Sequence, residues 1–111
     1  MEKHWKEERM SIRKHYLKGK PLCKVTFTIP RDMAGSAKKV CLAGDFNAWD
    51  TRSNPMKHRK DGSFELTVNL EKDREYQFRY FMDTGVWEND DSADRYVPTP
   101  YGDADNSVVI V

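Results

Sequence analysis

The sequence contains no apolar run near the ~20 residues that cross a bilayer, and its first residues, Met1-Glu2-Lys3-His4-Trp5-Lys6, lead into no apolar stretch. Neither a membrane span nor a secretory signal is expected. Cysteine is scarce: Cys23 and Cys41 are the two present, without metal-type spacing. In a chain with no export signal they are expected as reduced thiols in a cytoplasmic protein. His4, His15 and His58 are scattered and form no ligand pattern, so no metal and no cofactor are expected. The carboxylates fall in loops and turns, with no apolar setting to raise one pKa, and no Ser/His/Asp set is indicated. Glycosidases need two carboxylates flanking the bond, so an enzyme is not expected. Net charge is only +1, which gives no general reason to expect an acidic partner.

What charge there is lies unevenly. Residues 1–20 carry seven Lys/Arg against three Asp/Glu, while residues 21–111 carry twelve against fifteen. The basic end reads as a solvated extension, and contact with nucleic acid or an anionic membrane is the lesser alternative. Within it, residues 3–17 are the one plausible helix, on a weak stripe of Trp5, Ile12 and Tyr16. A start at Met10-Ser11-Ile12 is the alternative, and Gly19 and Pro21 end the segment. The expected division is a basic N-terminal extension over 1–20 and one folded domain over 21–111.

From Leu22 the period becomes two. Cys23, Val25, Phe27 and Ile29 alternate with polar residues, which marks a strand with one buried face. Pro30 stops it, Arg31–Ala37 reads as a loop, and Val40 and Leu42 lie in a second strand ending at Gly44. Asp50–Pro55 is a polar loop and Asp61-Gly62 a turn. Phe64, Leu66, Val68 and Leu70 form the cleanest alternation. After the Lys72-Asp73 turn, Tyr76, Phe78, Tyr80 and Met82 point one way and Gln77, Arg79, Phe81 and Asp83 the other. Residues 88–106 are acidic and rich in turn formers, and Glu88, Asp90, Asp91 and Asp94 read as a solvated loop, since the EF-hand spacing is missing. Ser107–Val111 closes the chain as a strand. Five or six short antiparallel strands without βαβ alternation predict an all-β sandwich, with a core that relies on Phe and Tyr.

Two tryptophans break the inward pattern. Trp49 lies in Gly44-Asp45-Phe46-Asn47-Ala48-Trp49-Asp50 and Trp87 follows Asp83-Thr84-Gly85-Val86. Burying an indole calls for apolar surroundings; among Asp, Asn, Gly and Thr a ring is presented instead. Two presented planes on a rigid sheet suit the apolar face of a sugar ring. The geometry this needs is two indoles open to water on one side of the body, about a disaccharide apart.

Taken in order, Val40-Cys41-Leu42-Ala43-Gly44-Asp45-Phe46-Asn47-Ala48-Trp49, Pro55-Met56, Gly62-Ser63-Phe64, Tyr76–Asp83 and Asn106–Val111 resemble the glycogen- and starch-binding modules of carbohydrate-binding module family 48. That family includes the N-terminal early-set domains of isoamylase and branching enzymes and the glycogen-binding domain of the AMP-activated protein kinase beta subunit. The resemblance runs from near Pro21 to Val111 and implies an immunoglobulin-like early-set sandwich. It implies that Trp49 and Trp87 stack on glucose rings, that Arg79 and Asn106 hydrogen-bond sugar hydroxyls, and that Tyr101 edges the site. The turn Asp83-Thr84-Gly85 is one residue longer than the family's "DG", and Arg79 stands where lysine is frequent. The resulting expectation is non-catalytic binding of α-1,4-glucan, with a glycogen or starch enzyme as the protein such a module would recruit, and neither nucleic acid nor membrane as partner. The alternative is a protein–protein interaction module with a vestigial sugar site.

Overall fold

The computed structural model describes residues 10–99 and 104–111. The strands are β1 (Ser11–Tyr16), β2 (Leu22–Ile29), β3 (Val40–Gly44), β4 (Lys57–His58), β5 (Phe64–Glu71), β6 (Glu75–Met82), β7 (Trp87–Glu88), β8 (Arg95–Pro98) and β9 (Asp105–Ile110). They form two antiparallel sheets, one ordered β1-β2-β5-β4 and the other β3-β6-β9-β8, with β7 pairing β6 beyond the end of β9. The fold is the expected all-β sandwich.

The alternation in the sequence decides which faces meet. Cys23, Val25, Phe27 and Ile29 of β2 and Tyr76, Phe78, Tyr80 and Met82 of β6 are all buried between the sheets. Phe27 sits edge-on to Phe78 with ring centroids 5.1 Å apart and near Tyr80 at 6.5 Å, a preferred arrangement for aromatic pairs. The core is built on Phe and Tyr, as the composition suggests.

Three local expectations are corrected. Residues 11–16, placed in a helix over 3–17 by the sequence reading, form β1, paired with β2 from Ser11↔Thr28 to Tyr16↔Cys23; the rest of that helix, residues 3–9, lies outside the described residues. The physical reason is that Ile12 and Tyr16, four apart, satisfy a period of two as well as a period of 3.6. The open edge of β2 supplies backbone partners that a weakly amphipathic helix has no packed face to match. The strand is thus hydrogen-bonded into the body from Ser11 onward. The segment read as a loop from Arg31 begins with one α-helical turn, α1 (Arg31–Ala34), closed by N–H donation from Met33 and Ala34 to the Pro30 carbonyl.

The third correction concerns the acidic segment. Asp90 is fully buried rather than solvated. One of its oxygens accepts from the Tyr80 hydroxyl at 2.5 Å, and the other from the Ser92 N–H and hydroxyl at 2.7 and 2.6 Å. Its own N–H donates to Ser107 Oγ at 2.9 Å and its carbonyl accepts from the Tyr96 hydroxyl. A buried charge is tolerated where its lone pairs are satisfied in this way. Burial first, then the Asp90 charge, pushes the Tyr80 phenol well above its ordinary value, so it remains a donor. The same segment contains β8, which the sequence reading missed.

Candidate functional site

The outward face of the five-stranded sheet brings together Trp49, Trp87, Arg79 and Asn106. The chain leaves β3 at Gly44, whose extended backbone (φ −175°) passes so close to β6 that an added Cβ would lie 2.5 Å from the Gln77 carbonyl oxygen. A 3-10 turn over Asp45–Asn47 follows. Phe46 is half-buried and packs against the core rim, 6.4 Å from the Phe27 ring and 6.1 Å from Tyr76. Asn47 wires the turn together. Its Oδ1 accepts the Gly44 N–H at 3.0 Å, and its Nδ2 donates to the Leu42 carbonyl at 2.9 Å and to Asn54 Oδ1 at 2.7 Å. Ala48 and Trp49 then both take left-handed backbone (φ 56° and 60°), a conformation L-residues rarely adopt. The Trp49 N–H donating to the Gly44 carbonyl at 2.9 Å helps hold it there.

The indole is fixed as well as the backbone. Trp49 Nε1 donates to Asp45 Oδ1 at 3.1 Å, while Asp45 Oδ2 accepts the Gln77 N–H at 2.8 Å. One carboxylate thus ties the half-buried Trp49 ring to β6. Beyond the turn, Asp50 accepts from the Ser53 hydroxyl and from the Arg52 N–H, which hold its carboxyl below the usual range.

Trp87 comes from β7, in register with Phe81 on β6. It is 39% exposed, so its ring is presented. It leans on the Phe81 ring with centroids 4.7 Å apart and planes at 51°. The Trp49 and Trp87 centroids are 6.5 Å apart with planes at 54°. The two indoles do stand on one side, but as neighbours forming an open V. The expected separation of about a disaccharide is corrected to that of adjacent rings. The cause is the β6–β7 pairing, which sets Trp87 on Phe81.

The polar residues are brought together by β6 and β9. Arg79 Nε donates to Asn106 Oδ1 at 2.7 Å, and Asn106 Nδ2 donates to Gln77 Oε1 at 2.9 Å. Arg79 is half-buried and Asn106 is buried. Among the described residues the side-chain bond of Arg79 is to Asn106, not to Asp83 or Glu88. Asn106 bonds the side chains of both Arg79 and Gln77. Tyr101 lies outside the described residues.

Phe81, Asp45 and Gln77 are not named as site residues by the sequence reading, although the alternation puts Phe81 and Gln77 on the outward face. A signal existed for Phe81, since it shares the outward set with Arg79, and a large ring on a water-facing position asks for a reason. Gln77 shares that outward set too, but the bonds that draw it and Asp45 into the site have no local signal, because their partners are set by tertiary contacts. Chemically, the face offers three aromatic rings beside an arginine fork and two amides. Among the described residues no group of three or more His, Cys, Asp or Glu could hold a metal ion, and no helix is long and apolar enough to cross a membrane.

The family model of carbohydrate-binding module 48 (isoamylase N-terminal domain) matches residues 27–102, more than half of the chain. Among curated proteins, the chain is 45% identical over 60 residues to the 1,4-alpha-glucan branching enzyme GlgB of Aquifex aeolicus, covering 53% of the chain and 10% of that enzyme. It is 35% identical over 63 residues to the branching enzyme GlgB of Prochlorococcus marinus, covering 57% and 8%. It is 38% identical over 61 residues to that of Photobacterium profundum, covering 54% and 8%. The matches span a tenth or less of the length of these relatives. The matched range includes Trp49, Arg79 and Trp87, and the chain belongs to the carbohydrate-binding module 48 family.

Proposed function

We propose that the outward face of the five-stranded sheet binds α-1,4-glucan without transforming it. The observation that carries this reading is the Trp49–Trp87 pair, a V of two indoles at 54° with Trp87 resting on Phe81, and with Arg79 and Asn106 on the same face. Successive glucose units of a curved glucan turn their apolar faces relative to one another, and tilted planes suit that turn better than coplanar ones. Arg79 and Asn106 orient the sugar through its hydroxyls, and Tyr101, which the resemblance implies as an edge residue, is included in this reading.

The reading is non-catalytic because the site lacks the required pair of carboxylates. Asp45, the acid within it, already accepts from Trp49 and Gln77 with its two oxygens. Two stacking rings and a few polar anchors give weak binding, roughly 10 µM to mM, so retention on a glycogen particle relies on several modules acting together. The same weakness suits a targeting role in the cytoplasm, holding a glycogen or starch enzyme on its polymer; the branching enzymes that share this module are the model for such a partner. Neither nucleic acid nor membrane enters this role.

Affinity electrophoresis in gels with and without glycogen tests the proposal. The wild-type protein should be retarded by glycogen, and Trp49→Ala/Trp87→Ala should migrate as in the empty gel. Retardation that survives the double substitution would place glucan binding elsewhere. Glucan retention should also persist at high salt, whereas binding through charge falls steeply.

A further inference from the structure

The hydrogen-bond chain on this face has a fixed direction, and that direction gives Gln77 a role. Arginine can only donate. The atom of Asn106 that meets Arg79 Nε is therefore its carbonyl oxygen, which turns the Asn106 amide nitrogen toward Gln77. That nitrogen in turn requires the carbonyl oxygen of Gln77, at 2.9 Å. The order runs Arg79 → Asn106 → Gln77, and no amide in it can flip without placing donor against donor. Its last member is left with an NH2 group that has no protein partner among the described residues.

Gln77 is itself held in place. Its backbone N–H donates to Asp45, the carboxylate that fixes the Trp49 indole. It lies on β6 in the outward set with Arg79 and Phe81, half-exposed. Backbone and side chain are both anchored by residues of the site, and the amide donors remain unused.

We propose that Gln77 is a specificity-determining residue of the glucan site, donating through its side-chain NH2 to a hydroxyl oxygen of the bound sugar. This rests on the glucan reading above and deepens it. With the Asn106 oxygen accepting from Arg79 and one amide hydrogen given to Gln77, the polar half of the site offers mainly donors: the terminal nitrogens of Arg79, the Gln77 amide and the remaining Asn106 N–H. The site then reads sugar hydroxyls as acceptors. A hydroxyl replaced by fluorine, which weakly accepts but cannot donate, is tolerated better than one replaced by hydrogen.

Two variants separate this role from a structural one. Gln77→Glu keeps an oxygen to accept from Asn106 and loses the NH2; Gln77→Met loses both. Binding of maltoheptaose and of singly deoxygenated and singly fluorinated maltooligosaccharides is measured by calorimetry or NMR titration, with a thermal melt for each variant. The wild type should discriminate hydrogen from fluorine at one hydroxyl. Gln77→Glu should melt close to wild type, bind maltoheptaose roughly threefold to tenfold more weakly, and lose that discrimination. Gln77→Met should lose it too. If Gln77→Glu binds as wild type, or weakens while keeping the wild-type discrimination, Gln77 serves only to orient Asn106 and the inference is overturned, with glucan binding intact. If the wild type itself does not bind maltoheptaose, the glucan reading fails and this inference with it.

Discussion

On the four-stranded sheet the outward side chains answer one another. Glu65 on β5 receives Arg13 from β1 on one oxygen and Arg59 on the other, and Thr26 and Thr67, paired across β2 and β5, share a hydrogen bond of 2.7 Å. On the five-stranded sheet the outward side chains are left incomplete. Trp87 is exposed, Arg79 meets an amide rather than a carboxylate, and Gln77 keeps free donors. Both faces grow from strands of the same alternating kind. What separates them is whether polar and apolar groups are satisfied within the protein, and unmet valence held in a fixed geometry is what a binding site needs.

The largest expected effect follows from emptying the incomplete face. Each stacked ring is worth about 1–3 kcal/mol, on the scale of bases stacked on aromatics. Trp49→Ala/Trp87→Ala should therefore weaken glycogen binding roughly a hundredfold or more. Thr26→Ala/Thr67→Ala, made on the satisfied face, should leave it unchanged. Equal losses from the two pairs would show that the contrast between the faces does not govern binding.

Next in size is a test of the boundary between outside and inside on a single strand. Tyr80 points inward from β6, between outward Arg79 and Phe81, and gives its hydroxyl to the buried Asp90. Tyr80→Phe strips a donor from a buried carboxylate, at a cost of about 1.5–3 kcal/mol. Denaturant unfolding should show that loss, while glucan affinity of the folded variant stays at the wild-type value. A variant that unfolds no more easily would mean that the Tyr80–Asp90 bond adds nothing to the folded state, and the buried network would need another description.

A smaller effect is expected at the clamp that pre-forms the aromatic face. Asp45→Ala releases the Trp49 indole and the Gln77 N–H together. Binding should drop roughly threefold to tenfold, because a free ring must be ordered when the sugar arrives. Tryptophan fluorescence should change in the unliganded protein, reporting the lost indole–carboxylate bond. Unaltered fluorescence and affinity would mean that the left-handed backbone at Ala48 and Trp49 is enough to hold the ring.

The parts of this architecture that could be read in advance are those fixed by local spacing. Phe64–Leu70 and Tyr76–Met82 keep a strict period of two, so their strands and buried faces were legible. The turn residues around Trp87 announced a presented ring, whereas Trp49, read the same way, is half-buried. β1 was not legible, because Ile12 and Tyr16 fit both periods, and β8 was not, because Arg95-Tyr96-Val97-Pro98 has no apolar alternation. Ring spacing and the partner of Asn106 were hidden for another reason. The first depends on Trp87 pairing with Phe81, and the second on β9 lying beside β6 so that residues 27 apart in sequence meet. Asp90 was misread because acidic neighbours describe a solvated loop, whereas its burial is set by Tyr80, Ser92 and Ser107.

The smallest effect lies where the two sheets join. Lys14 of β1 takes an inward position at the sheet edge and reaches Asp94, just before β8, at 2.8 Å. Burial pulls the Asp94 carboxyl upward, but the Ile110 N–H at 2.7 Å and the Lys14 ammonium outweigh it, and the group titrates below the ordinary carboxylate range. A carboxylate lowered on folding adds stability that is fully present above its unfolded value. That stability is lost as the pH falls through the lower folded one. Lys14→Met should then cost at most about 1 kcal/mol near neutral pH, since both side chains keep contact with water. The gap between variant and wild type in denaturant unfolding should close as the pH falls through the lowered folded value of Asp94. A gap that persists in acid would assign the Lys14 contribution to the packing of its stem, and the join between the sheets would be apolar rather than ionic.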